Sequence, residues 1–166
     1  MQIRLATKND LSQIINLINE VVPLMNKNGN FQWDENYPNM EVFDNDIQQQ
    51  QLWVADEDGI IAGIAAITTD QEPEYATIGW DITETAIVTH RLAVSNLYRG
   101  KGIARALLLK AEEIGMKRGI NILRIDTNSN NEATQKLFPT VGYKFSGKID
   151  LGFRPGLRFL CYEKRW

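Results

Sequence analysis

At 166 residues, 43% hydrophobic, 23% charged and with a net charge of −3, the chain has the make-up of one globular domain with a real core. No apolar run approaches the ~20 residues of a bilayer span, and the N-terminus lacks the charged head and apolar stretch of a signal peptide. The single cysteine, Cys161, excludes an internal disulfide and a cysteine-based metal site, so the cytoplasm is the expected compartment.

Charge is distributed unevenly. Residues 1–87 hold 3 Lys/Arg and 15 Asp/Glu, whereas residues 88–166 hold 15 and 6. This suits a cationic ligand at the first half and a polyanion at the second, or else two solvated faces that intermix in space. The basic residues are scattered without interleaved aromatics, so nucleic acid is not an expected partner.

Taken in order, Gln2 to Ala6 alternate as a short strand. Thr7 and Asp10 have capping-box spacing before a helix with Leu11, Ile14, Ile15, Ile18, Val21 and Val22 on one face. Pro23 lies near its end. Phe31 to Pro38 mixes aromatic and acidic residues, either an acceptor-pocket wall or an aromatic plug beneath a loop. Pro38 suits the first position of a second helix that buries Met40, Phe43 and Ile47.

Leu52 to Ala55 and Ile60 to Ile67 read as a hairpin around Asp56-Glu57-Asp58-Gly59. Residues 68–84 form a polar connection with a short strand at Tyr75 to Trp80, and Thr85 to Val94 is β-rich. A helix at 101–118, a strand at Ile120 to Thr127, a helix at Asn131 to Val141, and strands at Tyr143 to Ser146 and Leu157 to Tyr162 complete one α/β domain over residues 1–166.

The most informative stretch is Arg99-Gly100-Lys101-Gly102-Ile103-Ala104, between the apolar run Leu92-Ala93-Val94 and a helix. Two glycines at a helix start let the backbone turn tightly and present N–H groups where the helix dipole favours an anion. Phosphate or pyrophosphate fits such a cradle; a purely steric strand-to-helix turn uses the same residues. A P-loop would continue Gly-Lys-Ser/Thr, which Gly102-Ile103 does not, and no full G-x-G-x-x-G stands at the strand end.

Downstream lies Asn131-x-x-Thr134-x-x-Leu137-Phe138-x-x-x-Gly142-Tyr143. With the glycine turn about thirty residues earlier, in the same order of elements, the chain resembles the GNAT acetyltransferase superfamily over nearly its whole length. The central family motif reads Gln/Arg-x-x-Gly-x-Gly/Ala, and Arg99, Gly102 and Ala104 match its fixed positions. The later motif commonly reads Asn-x-x-Ala-x-x-Leu-Tyr-x-x-x-Gly-Phe. This chain keeps Asn131, Leu137 and Gly142, and has Thr134, Phe138 and Tyr143 where the family has Ala, Tyr and Phe.

The resemblance implies an α+β fold: a mixed, mostly antiparallel sheet with helices on both faces, whose strands around 86–94 and 121–127 splay to admit acetyl-CoA. It implies that Gly100, Lys101, Gly102, Ile103 and Ala104, with Arg99 beside them, hold the pyrophosphate. Leu92, Ala93 and Val94 would meet the pantetheine arm, and Asn131 and Phe138 would flank the coenzyme from the other side. The implied activity is direct acetyl transfer to a primary amine of a small molecule or peptide, and the acidic first half favours a cationic acceptor.

His90, the only histidine, is the candidate base, or else a histidine satisfied by a neighbour; Asp126, Glu72, Glu74 and Asp81 are weaker candidates. Phe138 occupies the position of the usual proton-donating tyrosine, so Tyr143, Tyr37, Tyr75 or water takes that part, or the thiolate leaves unprotonated. No metal is expected, and a homodimer is admitted without being required. The alternative is a non-catalytic acyl-CoA-binding or sensing protein.

Overall fold

The computed structural model describes residues 1–166. Seven strands form a sheet in the order β1-β2-β3-β4-β5-β7-β6. These are β1 (Gln2–Leu5), β2 (Leu52–Glu57), β3 (Ile60–Thr68), β4 (Ile87–Val94), β5 (Ile122–Asn128), β6 (Lys144–Asp150) and β7 (Arg158–Arg165). The helices are α1 (Leu11–Lys27), α2 (Met40–Gln48), α3 (Ile103–Arg118) and α4 (Glu132–Thr140). The β1–β2, β2–β3, β5–β7 and β6–β7 pairs are antiparallel; β4 and β5 run parallel, paired at Ile87–Leu123 and Val88–Arg124. No helix is long and apolar enough to cross a membrane.

The chain divides into two compact units, Met1–Ile67 with His90–Lys110, and Thr68–Thr89 with Ala111–Trp166. In the first, Arg4 of β1 grips Asp10 through two hydrogen bonds of 2.8 and 2.9 Å, and Asp10 also accepts the Thr7 N–H at 2.7 Å. The Arg4 guanidinium holds the Asp10 carboxyl below its ordinary range. This junction launches α1, which buries Ile14, Leu17, Ile18, Val21 and Val22 and continues past Pro23 to Lys27.

Helix α2 starts later than its proline suggests. Asn39, not Pro38, precedes the first turn, and its side chain accepts the Val42 N–H at 3.0 Å. Phe43 is consequently buried while Met40 is 55% exposed, against the expectation that Met40 packs inward. The β2–β3 hairpin turns at Asp58 and Gly59, both at positive φ (51° and 90°), as a two-residue turn of the Asp-Gly kind requires.

Within the second unit, the expected strand at Tyr75 to Trp80 is instead a 3-10 turn over Pro73–Ile78, ended by Gly79 at φ 86°. Pro73 has no N–H for a ladder and its fixed φ suits a helical first turn. The turn is tied down by polar contacts to β5. Tyr75 donates to Asp126 at 2.5 Å, and the fully buried Arg124 donates to Gln71 and to the Asp81 carbonyl and stacks 4.8 Å from the Trp80 ring centroid. Strand β6 runs on to Asp150, four residues beyond the alternation that marks its start, and β7 to Arg165.

One glycine sets a packing distance. A Cβ on Gly63 of β3 would lie 2.6 Å from Ile103 Cγ2 and 3.1 Å from the Ala93 carbonyl oxygen, so α3 begins where β3 has no side chain. Gly63→Ala is expected to cost about 1–3 kcal/mol by overpacking, read as a lower urea midpoint with an unchanged slope; a midpoint equal to the parent's would refute this account.

Candidate active site

The turn into α3 is built entirely within the first unit. Ser95, after β4, donates its N–H to the Ala62 carbonyl of β3 at 2.8 Å. Its hydroxyl donates to the Glu20 carboxylate of α1 (3.0 and 3.1 Å), which also accepts the Asn96 N–H at 2.7 Å. Glu20 thus fixes the 3-10 turn Asn96–Tyr98 that leads to the glycines.

Gly100 and Gly102 then take φ of 74° and 79°, values that an L side chain rarely adopts, and a Cβ on either would meet no atom within 4 Å. Both are exposed, as are Arg99 and Lys101; Ile103 is buried and Ala104 half-buried. The first helix-type bond of α3 runs from the Ala106 N–H to the Gly102 carbonyl at 3.0 Å. The N–H groups of Ile103 and Ala104 therefore lie ahead of the helix's own hydrogen-bond ladder. Residues 90–110 carry five Lys/Arg and no Asp/Glu, so the turn also lacks a carboxylate of its own to repel an anion.

Strand β4 does not alternate through its last residues. Arg91 sits at φ 53°, left-handed for a residue that has a Cβ, at a cost of about 1–2 kcal/mol. Counting by twos would put His90 and Leu92 on one face; the left-handed φ of Arg91, a local bulge in the path of the strand, interrupts that alternation. His90, Arg91, Leu92 and Val94 are half-buried and Ala93 is buried. Arg91 is held by a two-pronged pair with Asp46 of α2, Nε–Oδ2 and Nη2–Oδ1 both 2.7 Å, and donates to the Tyr37 hydroxyl at 3.3 Å. The Asp46 side chain is 2% exposed.

In the second unit, Asn131 caps α4 by accepting the Thr134 N–H at 3.2 Å, and the Thr134 hydroxyl lies 2.7 Å from that of Thr127 on β5. Phe138 is buried in ring contact with Tyr143 and Tyr162, at centroid distances of 5.9 and 5.3 Å. Tyr143 is buried too, and its hydroxyl has no hydrogen-bond partner. Burial, with Glu112 nearby, pushes its phenol up, so it stays protonated.

Tyr75 is likewise pushed up, by burial and then by Asp126. Asp81 closes a local turn through Thr83, and Glu74 accepts the Gly152 N–H. The Cys161 thiol is buried and pushed up, first by burial, so it carries no mark of a nucleophile.

Three residues of this arrangement escape a local reading of the sequence: Glu20, Asp46 and Arg91. Two leave a faint signal. Arg91 interrupts the apolar run Ile87 to Val94, and Asp46 falls three residues after buried Phe43, on the inward side of α2.

The charge asymmetry along the chain does not survive folding. The first unit holds 8 Lys/Arg and 10 Asp/Glu, and the second 10 and 11. Acids of the first half meet bases of the second inside one unit, as Glu84 does with Arg165 at 2.8 Å. Neither unit therefore favours a cationic acceptor by its net charge.

Comparison with known proteins agrees with the glycine turn and the Asn131–Tyr143 motif. The acetyltransferase (GNAT) family model matches residues 18–143. An acetyltransferase of the GNAT family from Streptococcus agalactiae is 32% identical, with a TM-score of 0.84, over 99% of this chain and 95% of that one. The N-acetylaspartate synthetase of Xenopus tropicalis is 29% identical over 113 residues, 68% of this chain but 38% of that protein. The chain thus spans little more than a third of that relative. The Salmonella typhimurium protein yncA, solved with acetyl-CoA, shares the fold at 18% identity, with a TM-score of 0.70 over 99% of this chain and 93% of that one. The chain belongs to the acetyltransferase (GNAT) family.

Proposed function

We propose that the chain transfers the acetyl group of acetyl-CoA to a primary amine. The observation that carries this reading is the turn before α3: two left-handed glycines with open space over them, a helix start behind, and no carboxylate from His90 to Lys110. The turn fits a pyrophosphate, with N–H groups of Gly100 to Ala104 as its donors and Arg99 and Lys101 as its counter-charges. Leu92, Ala93 and Val94 offer backbone groups to the pantetheine arm; Asn131 and Phe138 are proposed as coenzyme contacts separately, on the later family motif alone.

Acetyl-CoA supplies an activated thioester; the chain supplies placement and the movement of protons. The amine must arrive neutral, and His90 is the side chain suited to take its proton near pH 7. Phe138 has no proton to return to the sulfur. Tyr143, kept protonated by burial and without a protein partner for its hydroxyl, is the phenol we assign to that part.

For the acceptor, the near-neutral charge of each unit removes the preference for a polycation. The name of the N-acetylaspartate synthetase relatives makes an α-amino acid the second acceptor class to test. CoA release measured across amino acids, polyamines and peptide amines decides the class. Release with none of them, alongside tight CoA binding, would instead favour an acyl-CoA sensor.

Gly102→Asp puts a side chain and a negative charge over the turn. It is expected to weaken CoA binding at least tenfold in calorimetry, about 1.4 kcal/mol, with an unchanged circular dichroism spectrum; unchanged affinity in the folded variant removes the cradle. Glu20→Ala is expected to weaken CoA severalfold through the loosened Ser95–Asn96 turn, while Glu20→Gln, which still accepts a hydrogen bond, retains it.

His90→Ala is expected to abolish the acidic limb of the pH–rate profile, and an unaltered limb takes His90 out of the mechanism. Tyr143→Phe is expected to lower kcat tenfold or more while leaving the KM for acetyl-CoA in place; parental kcat would mean that the sulfur leaves as thiolate.

A further inference from the structure

Arg91 takes no part in the proton transfers assigned to His90 and Tyr143. A strand residue with a Cβ stands in the left-handed region, and its half-buried side chain meets a carboxylate that is 2% exposed. Neither half serves stability well. A glycine would take φ 53° without strain, and an apolar pair of similar volume usually replaces a buried ion pair at no loss. What the pair does supply is direction. Both prongs are 2.7 Å, so the fork admits one orientation of the arginine.

The carboxylate is itself held. Gln51, just past α2, donates its side-chain N–H to Asp46 Oδ1 at 2.9 Å and its backbone N–H to the Asp46 carbonyl at 3.0 Å. Gln51 in turn accepts the Ile67 N–H of β3 at 2.8 Å. A chain of fixed contacts therefore runs from β3 through Gln51 and Asp46 to Arg91. Tyr37, from the loop before α2, adds a third contact at 3.3 Å.

We propose that Arg91, anchored by Asp46, is a positioning residue for acetyl transfer: the pair holds the bulge of β4 and so sets the direction of the peptide groups between His90 and Leu92. The proposal rests on the acetyltransferase reading of the preceding subsection. A left-handed residue turns the peptide groups on either side of it out of the regular ladder. Those groups join the candidate base to the run Leu92-Ala93-Val94, which is assigned to the pantetheine arm. If the bulge relaxes to regular strand, Leu92 and the residues after it exchange faces relative to His90. Acetyl-CoA still finds its pyrophosphate turn, but the reacting groups no longer share a side.

The decisive variant is Arg91→Met with Asp46→Leu, which removes both charges and keeps volume, so that no buried charge is left alone. Arg91→Lys keeps charge without the fork. CoA affinity by calorimetry is expected to stay within about threefold of the parent and the thermal midpoint to stay close to it, whereas kcat falls at least tenfold, the scale of a misplaced reacting group. Arg91→Lys is expected to fall between parent and double variant in kcat. Backbone amide couplings at position 91 report φ directly and are expected to change from left-handed to extended in the double variant. Amide shifts of residues 92–94 on adding CoA, present in the parent, are expected to be lost with it.

A folded double variant with a left-handed position 91 and parental kcat would overturn the proposal. If the double variant is too unstable to assay, Arg91→Lys carries the same decision: parental kcat and parental coupling together overturn it. A parent that neither binds CoA nor transfers acetyl fails the function reading alone. The coupling at position 91 then still decides whether the pair holds the bulge.

Discussion

A carboxylate almost without water and a strand residue in the wrong half of φ space hold each other in place: Asp46 and Arg91. Alone, each is unfavourable; the charge lacks solvation, and the backbone lacks a reason to bend. Joined by two short hydrogen bonds, they fix where β4 departs from its ladder. Everything from there to α3 follows in a fixed order. Four residues beyond the bulge Ser95 is caught by Glu20 of α1, and beyond that turn the chain takes two left-handed glycines into the helix. Two helices separated by the loop 28–39 thus reach the same short segment with one carboxylate each.

The second unit solves a related problem with the opposite sign. There the buried charge is a cation, Arg124, whose Nε and Nη1 bond Glu163, Gln71 and the Asp81 carbonyl under the Trp80 ring, while its Nη2 stands 3.7 Å from Glu84. These contacts and the Tyr75–Asp126 bond offset the entropy lost when the polar connection 69–86 is ordered as a cover over β5 and β7. The phenol of Tyr143, like the hydroxyl of Thr89, is buried without a hydrogen-bond partner.

Much of the architecture was legible from local pattern. Period-3.6 apolar residues marked α1 and α3, the Asp-Gly pair marked the β2–β3 turn, and two glycines before Ile103 marked the α3 start. The illegible parts share a cause: they depend on partners far away in sequence. Arg91 meets Asp46 across 45 positions, and Glu20 meets Asn96 across 76. No window of a dozen residues contains both ends of either bond. Tyr75 to Trp80 misled for another reason. Its aromatic and β-branched residues look like a strand, but Pro73 and the pull of Asp126 and Arg124 make one face of a 3-10 turn the better burial. Net charge by halves misled because residues 68–89 fold with the basic C-terminal part and not with the residues before them.

The burial of Cys161 has a practical meaning at the bench. It is the sole thiol of the chain, it has no exposed surface, and its proton is held more tightly than in a free cysteine. A chromogenic disulfide reagent releases its coloured thiolate only when a thiolate can reach and attack its sulfur, so the folded protein leaves it colourless. Oxidised coenzyme in an ageing stock has no sulfur on the protein to trap it as a mixed disulfide. A thiol-detection assay for the proposed acetyl transfer therefore needs no subtraction for the protein's own sulfur.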